Sequence, residues 1–253
     1  MSYLQVENLI KEYGQGETAF KAVKGISFEI DQGEFVAVMG ESGSGKSTLL
    51  SMMGGLNSPS SGIYRVDDLE VYSLDQDQRA GFRREFLGFI FQSFYLIPYL
   101  TVVENVMIPL VTVKMMTTRE KRTMAEDALQ RVGLKGKENR LPSDISGGEQ
   151  ERVAVARAIV NEPPILLADE PTGNLDRRNT QTIMDMFQDL NANGMTIIMV
   201  THSHECAQFA RRILQISDGL LVGEERPVKK IDLSSGEVNW ADRDTLPKLA
   251  SQS

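Results

Sequence analysis

From Gly40 to Thr48 the chain reads Gly-Glu-Ser-Gly-Ser-Gly-Lys-Ser-Thr, which fits the phosphate-loop pattern G-x-x-x-x-G-K-[ST]. Gly40, Gly43 and Gly45 let the backbone wrap a phosphate, and the amides of Ser42, Ser44 and Thr48 lie in the same stretch. Lys46 would reach the β- and γ-phosphates, and the Ser47 hydroxyl would ligate Mg²⁺. Average residue usage produces this pattern by chance on the order of once in a hundred chains of this length, so it is read as functional. A second group of chemistry-bearing residues follows the apolar run Ile165–Ala168, where Asp169 and Glu170 sit side by side. Carboxylates at the end of a buried strand need a cation or hydrogen bonds. Asp169 can hold Mg²⁺, and Glu170 can take a proton from a water attacking the γ-phosphate. A third group is Ser146-Gly147-Gly148-Glu149, whose capping-box spacing puts glycine amides and a serine hydroxyl at a helix start, a second anion site.

The elements that must position these residues are legible from period and punctuation. Phe35–Met39 is a buried strand entering the phosphate loop, and Leu49–Met53 leaves it as a helix ended by Gly54-Gly55. Before them, Leu4, Val6, Ile26, Phe28 and Ile30 alternate with polar neighbours as half-buried strands do. Tyr13 closes the first of these; it could stack on an adenine base or be an ordinary strand tyrosine, and the sequence leaves both readings open. Ile63–Val66 is a strand, Ser73–Gln76 reads as a capping box opening a helix to about Glu85, and Leu87–Phe91 is a buried strand ending at Gln92. Residues 93–160 turn helical, with capping boxes at Thr101 and Thr117 and a core face of Met124, Ala128, Leu129 and Val132. The aromatic loop Phe94–Leu100 either fills that core or is offered to a partner. A helix bearing Ile183, Met186, Phe187 and Leu190 precedes the strand Met195–Val200, which ends at Thr201-His202.

Composition narrows the class. The 253 residues suffice for a large core, and the net charge of −8 implies no general basic surface, which leans against nucleic acid. The single cysteine, Cys206, reads as a small apolar residue on a helix. No apolar stretch approaches the roughly 18–20 residues of a membrane span, and no signal pattern opens the chain.

Gly40–Ser47, Gln92, Ser146–Gln150, Ile165–Glu170, Asn174–Asp176 and His202 stand in the order found in ATP-binding-cassette ATPases, and the chain resembles that superfamily from about Ser2 to Gly223. Phe91–Phe94, Leu100–Val106 and Ala168–Asp176 make it similar to the MacB/LolD/FtsE group, and within it to the MacB cassette. Glu149 stands where many cassettes have glutamine. The resemblance implies an α/β P-loop NTPase (RecA-like) core, with an N-terminal antiparallel β subdomain and an α-helical signature subdomain inserted at 93–160. Residues 1–223 would form the ATPase domain and 224–253 a polar extension of unassigned role holding Trp240. It further implies a homodimer closing around two ATP and Mg²⁺, with Ser146, Gly147, Gly148 and Glu149 of one chain meeting the nucleotide held by Lys46 of the other. Glu170 would be the base, His202 would contact phosphate and water, and Ser47, Gln92 and Asp169 would face the metal. The driven partner would be a separate FtsX/MacB-type permease, with a periplasmic adaptor as a further candidate, at the cytoplasmic face of the bacterial inner membrane. A cell-division regulator resembling FtsE, or a non-transport cassette ATPase, is the alternative reading.

Overall fold

The computed structural model describes residues 2–227. In chain order its strands and α-helices begin with β1 (Leu4–Tyr13), β2 (Phe20–Ile30), β3 (Phe35–Met39), α1 (Lys46–Met53), β4 (Ser61–Val66) and β5 (Leu69–Glu70). There follow α2 (Gln76–Phe86), β6 (Leu87–Ile90), α3 (Val102–Met107), α4 (Thr118–Arg131) and α5 (Gly147–Ile159). The last third holds β7 (Ile165–Asp169), α6 (Arg177–Ala192), β8 (Thr196–Thr201), α7 (His204–Ala207), β9 (Arg212–Ser217) and β10 (Leu220–Glu225).

Two sheets result. The first is antiparallel in the order β2-β1-β4-β5, with Leu4 opposite both Ile30 and Val66. The second runs β10-β9-β3-β8-β7-β6, parallel except for β10. Every residue of β3 and β8 is buried, as expected of a parallel strand covered on both faces. The strand period divides β3 between two cores. Val36 and Val38 pack with Leu4, Leu9, Ile26 and α1 beneath the antiparallel sheet. Phe35, Ala37 and Met39 pack with α6 and with the helices lying between β6 and β7. The central sheet is therefore a filling between β and α layers. Its parallel strands bring Met39, Asp169 and Thr201 to one edge, with Met39 opposite Thr201 and Asp169 opposite Val200. Ligands gather at such carboxyl edges.

The reciprocal capping boxes at Thr101, Thr117 and Ser146 are formed. The one expected at Ser73 is not. Ser73 closes a short 3-10 turn and its hydroxyl donates to the Glu70 carbonyl, so Asp75 caps α2 instead, accepting from the Gln78 amide at 2.8 Å. In α6 the buried set is Ile183, Met184, Phe187 and Leu190, while Met186 is half-buried. Cys206 is buried on α7 with its sulfur 3.3 Å from the Thr172 hydroxyl. Strand β10 runs to Glu225, past Gly223 where the sequence reading ends the domain. Residues 228–253, Trp240 among them, lie outside the described residues.

Candidate functional site

The phosphate loop is built by close backbone approach. A Cβ at Gly40 would sit 2.0 Å from the Ile216 carbonyl oxygen. Gly45, at φ 100, caps α1, and a Cβ there would meet the Ala22 carbonyl oxygen at 2.3 Å. Only glycine fits both positions. The loop is also tied to the far end of the chain, because the Gly219 amide donates to the Ser44 carbonyl at 3.0 Å and the Lys24 amide to the Gly219 carbonyl at 2.8 Å. The buried Lys46 bends its ammonium back onto the Gly40 and Glu41 carbonyls at 2.9 and 2.8 Å. The Ser44 hydroxyl is buried beneath Gly40 with no hydrogen-bond partner, and Ser44 does not line the cleft that this loop floors.

Ser47 and Asp169, distant in sequence, meet where α1 begins and β7 ends at the same edge. The Ser47 hydroxyl donates to Asp169 Oδ1 at 3.0 Å. Burial raises the Asp169 carboxyl above its ordinary value and the Glu170 charge adds to this, while the Ser47 hydrogen bond and Lys46 oppose it. Next to it Glu170 adopts φ 48, a left-handed conformation rare for a side-chain-bearing residue. Its amide donates to the Val200 carbonyl at 2.9 Å and its carbonyl accepts from the Gly173 amide at 3.1 Å. So held, Glu170 Oε2 lies 2.8 Å from His202 Nδ1. The Glu170 side chain is 12% exposed against 66% for His202, so the ring reaches over a largely buried carboxylate from the solvent side.

Most of these residues line one cleft of about 690 Å³, from which Gly40 and Ser44 are absent. Its floor is Ser42, Gly43, Gly45, Lys46, Ser47 and Thr48, and Gln92, Glu170 and His202 stand over them. Asp169 sits behind Ser47, outside the lining. Among the described residues no group of three or more His, Cys, Asp or Glu side chains could hold a metal ion. An ion beside Ser47 and Asp169 would therefore take its other ligands from phosphate and water, as Mg²⁺ does. Tyr13 lines the opposite end with its ring stacked on Phe20, centroids 5.6 Å apart, and its hydroxyl accepts from the Asn57 side chain. Lys21, Ala22, Asp218 and Gly219 complete that wall. The sequence reading missed them; the Asp218-Gly219 pair between two apolar runs is the hairpin signal that finds the turn.

Ser146, Gly147, Gly148 and Glu149 do not line this cleft. They form the start of α5, where Glu149 Oε2 accepts from the Ser146 amide at 2.8 Å and its hydroxyl at 3.0 Å. Lys137 bonds the other carboxylate oxygen. Lys137 first, and the Ser146 amide second, lower the Glu149 carboxyl to about 2. A Cβ on Gly148 would strike the Asn179 side chain at 2.4 Å. Asn179 is in turn bonded to Asp176, the cap of α6, so the start of α6 packs against the Ser146 turn, while Asn174 donates to the Gln92 carbonyl at 3.3 Å.

The aromatic loop after Gln92 divides. Leu96 packs against the helical core and Phe94 is half-buried, whereas Tyr95 and Tyr99 are 67% and 89% exposed. Arg157 of α5 fastens the loop by donating to the Tyr95 and Phe94 carbonyls at 2.7 and 2.6 Å. A groove of about 560 Å³ opens beside it, lined by Phe89, Phe91, Tyr95, Ile97 and Pro109, with Arg83 and Arg84 on its rim.

With this geometry in hand, comparison with known proteins is decisive about kinship. The ABC transporter family model matches residues 23–173. A macrolide export ATP-binding/permease protein MacB of Chlorobaculum tepidum is 42% identical over 226 residues, which span 88% of this chain and 34% of that protein. The chain thus spans about a third of the length of the MacB relatives it matches. The ABC transporter ATP-binding protein YknY of Bacillus subtilis, described as uncharacterized, is 43% identical over 87% of this chain and 95% of its own. Among solved structures, the ATP-binding cassette MJ0796 in a dimeric post-hydrolysis state bound to ADP and Pi superposes with a TM-score of 0.83. It is 41% identical, covering 89% of this chain and 99% of that one. A cleft floored by a phosphate loop, a carboxylate–histidine pair above it and these relatives agree: the chain belongs to the ABC transporter family, as its ATP-hydrolysing cassette.

Proposed function

We propose that two copies of this chain close head-to-tail around two ATP molecules and that hydrolysis drives a separate integral-membrane permease of the FtsX/MacB type. The observation that carries the reading is the pairing of Glu170 with His202 over the Lys46–Ser47 floor, with the Ser146 turn left outside the same cleft. Lys46 and the loop amides bind the phosphates, and Ser47, Gln92 and Asp169 face Mg²⁺, which supplies charge neutralisation when bound. Glu170 takes the proton of the attacking water, and His202 steadies that carboxylate and contacts the γ-phosphate. Tyr13, backed by Phe20, offers its face to the adenine. The second chain brings Ser146, Gly147, Gly148 and Glu149, with the Gly147 and Gly148 amides at a helix start and the Ser146 hydroxyl oriented by the Glu149 carboxylate.

The permease docks at the cytoplasmic face of the bacterial inner membrane by laying a helix in the groove beside Tyr95 and Ile97. That placement is supported by its aromatic lining and by the Arg157 bonds tying it to α5. A periplasmic adaptor would then follow the permease, and export or lipoprotein release would be the output. Purification of the tagged chain from its native membranes tests this. An FtsX-like membrane protein should be retained through detergent washing, and its reproducible absence would overturn the reading.

A further inference from the structure

Glu149 poses an electrostatic difficulty for the proposed dimer, on which this inference rests. A glutamine at this capping position would be neutral, whereas Glu149 sets a full negative charge in the turn that meets a partner-held γ-phosphate. The chain answers it from an adjoining segment. Lys137 lies in the turn between α4 and α5, which is pinned to the start of α3 because the Val102 and Val103 amides donate to the Arg140 and Glu138 carbonyls at 2.8 and 2.9 Å. From that anchored position its ammonium bonds Glu149 Oε1, leaving Oε2 to hold the Ser146 amide and hydroxyl. The two carboxylate oxygens thus have separate duties. One is neutralised, and the other orients the serine.

We propose that Lys137 is a positioning residue for ATP turnover: it cancels the Glu149 charge and fixes the Ser146 turn toward the phosphate arriving from the partner chain. An exposed ion pair of merely local value would add little to stability and nothing to turnover. The Glu149 side chain is 16% exposed and that of Lys137 is 42% exposed, so the carboxylate is the more shielded member and the more dependent on its partner.

The experiment compares Lys137→Met, Lys137→Arg, Glu149→Gln and the double variant Lys137→Met/Glu149→Gln in the full chain. ATPase KM and kcat, melting temperature and binding of a fluorescent ATP analogue by the monomer are recorded. Lys137→Met should raise KM for ATP about fivefold or more through unscreened repulsion, with analogue binding and melting temperature as in the parent. Lys137→Arg should stay within about twofold of the parent because it keeps the charge balance, and the double variant should bring KM back down from the Lys137→Met value because it removes the unpaired charge. A parental KM in Lys137→Met, or a double variant as impaired as Lys137→Met, would overturn the proposal. Ser146→Arg separates this failure from failure of the shared site. An inactive Ser146→Arg beside a parental Lys137→Met sinks the Lys137 role alone, whereas a fully active Ser146→Arg sinks the shared site and this role with it.

Discussion

Glu170 owes its placement to a backbone conformation that most side-chain-bearing residues avoid. Its φ of 48 is held by hydrogen bonds to β8 on one side and to Gly173 on the other, and the result is a carboxylate within 2.8 Å of His202. If Glu170 is the base, Glu170→Gln should abolish turnover while leaving ATP binding intact, and the variant should accumulate as an ATP-bound dimer in gel filtration. Hydrolysis within about tenfold of the parent, a loss under roughly 1.4 kcal/mol of transition-state stabilisation, would remove it from that role. Glu151, on the same helix as Ser146, makes a different forecast. It is 1% exposed with Oε1 unpartnered, and burial pushes its carboxyl up to about 8 against the opposing charge of Arg157. The folded chain therefore holds this proton where the unfolded chain has lost it. Its contribution to stability is full below the ordinary carboxylate range and is lost as pH rises through about 8. Glu151→Gln, which never ionises, should melt higher than the parent at pH 9 and alike near pH 4, by on the order of a few kcal/mol at the alkaline end. At this scale the sequence is informative about identity and silent about pairing. Asp169 and Glu170 are legible because a strand of Ile165–Ala168 points them at the edge, but nothing local announces the φ of Glu170 or the ring of His202 above it.

Elements decide what the aromatic loop does. Tyr95 and Tyr99 stand in solvent while Leu96 is packed inward, so the core reading holds for Leu96, and the two tyrosines are left for the partner reading to be tested on. Tyr95→Glu and Tyr99→Glu should give soluble, ATP-binding protein with a parental melting temperature that no longer retains the permease. Stable variants holding the permease at parental levels would clear these side chains from the interface. Thr117, as the cap of the exposed start of α4, should cost about 1 kcal/mol when changed to alanine, measured by urea unfolding with no effect on ATPase. Long periodic elements such as α4, α5 and β8 were readable because burial follows their own repeat. The β9–β10 hairpin carries its turn signal at Asp218-Gly219, but β10 itself lacks a buried face that announces it, since Leu220 and Val222 are exposed. The start of α2 was misplaced because Ser73 and Asp75 can both cap, and only the turn before them selects Asp75.

For the whole molecule the question is whether each nucleotide is shared between two chains. Mixing Lys46→Ala chains with Ser146→Arg chains creates heterodimers having one doubly damaged site and one intact site. ATPase should reappear on mixing although each variant alone is inactive, with the recovered rate rising as the two are brought to equal amounts. Parental activity of Ser146→Arg by itself would show that the turn at α5 has no part in the site. A P-loop core, an antiparallel sheet and a helical layer were all implied by resemblance, and the assembled layers agree with it. What resemblance did not convey is that Lys21, Ala22, Asp218 and Gly219 also wall the cleft, whose parts lie as far apart in the chain as Tyr13 and Gly219.

That separation orders events during synthesis. Strand β3 lies between β8 and β9, so it leaves the ribosome long before either neighbour exists, and the phosphate loop it feeds waits for Gly219 to brace Ser44. The antiparallel sheet, made from β1, β2, β4 and β5, can pair early, but the parallel strands cannot close until the last third of the chain has emerged. Nascent chains arrested before β8 should carry a complete phosphate-loop sequence and yet fail to hold nucleotide. In this cassette the ability to bind ATP arrives late, as a sign that translation has nearly finished its work on the domain.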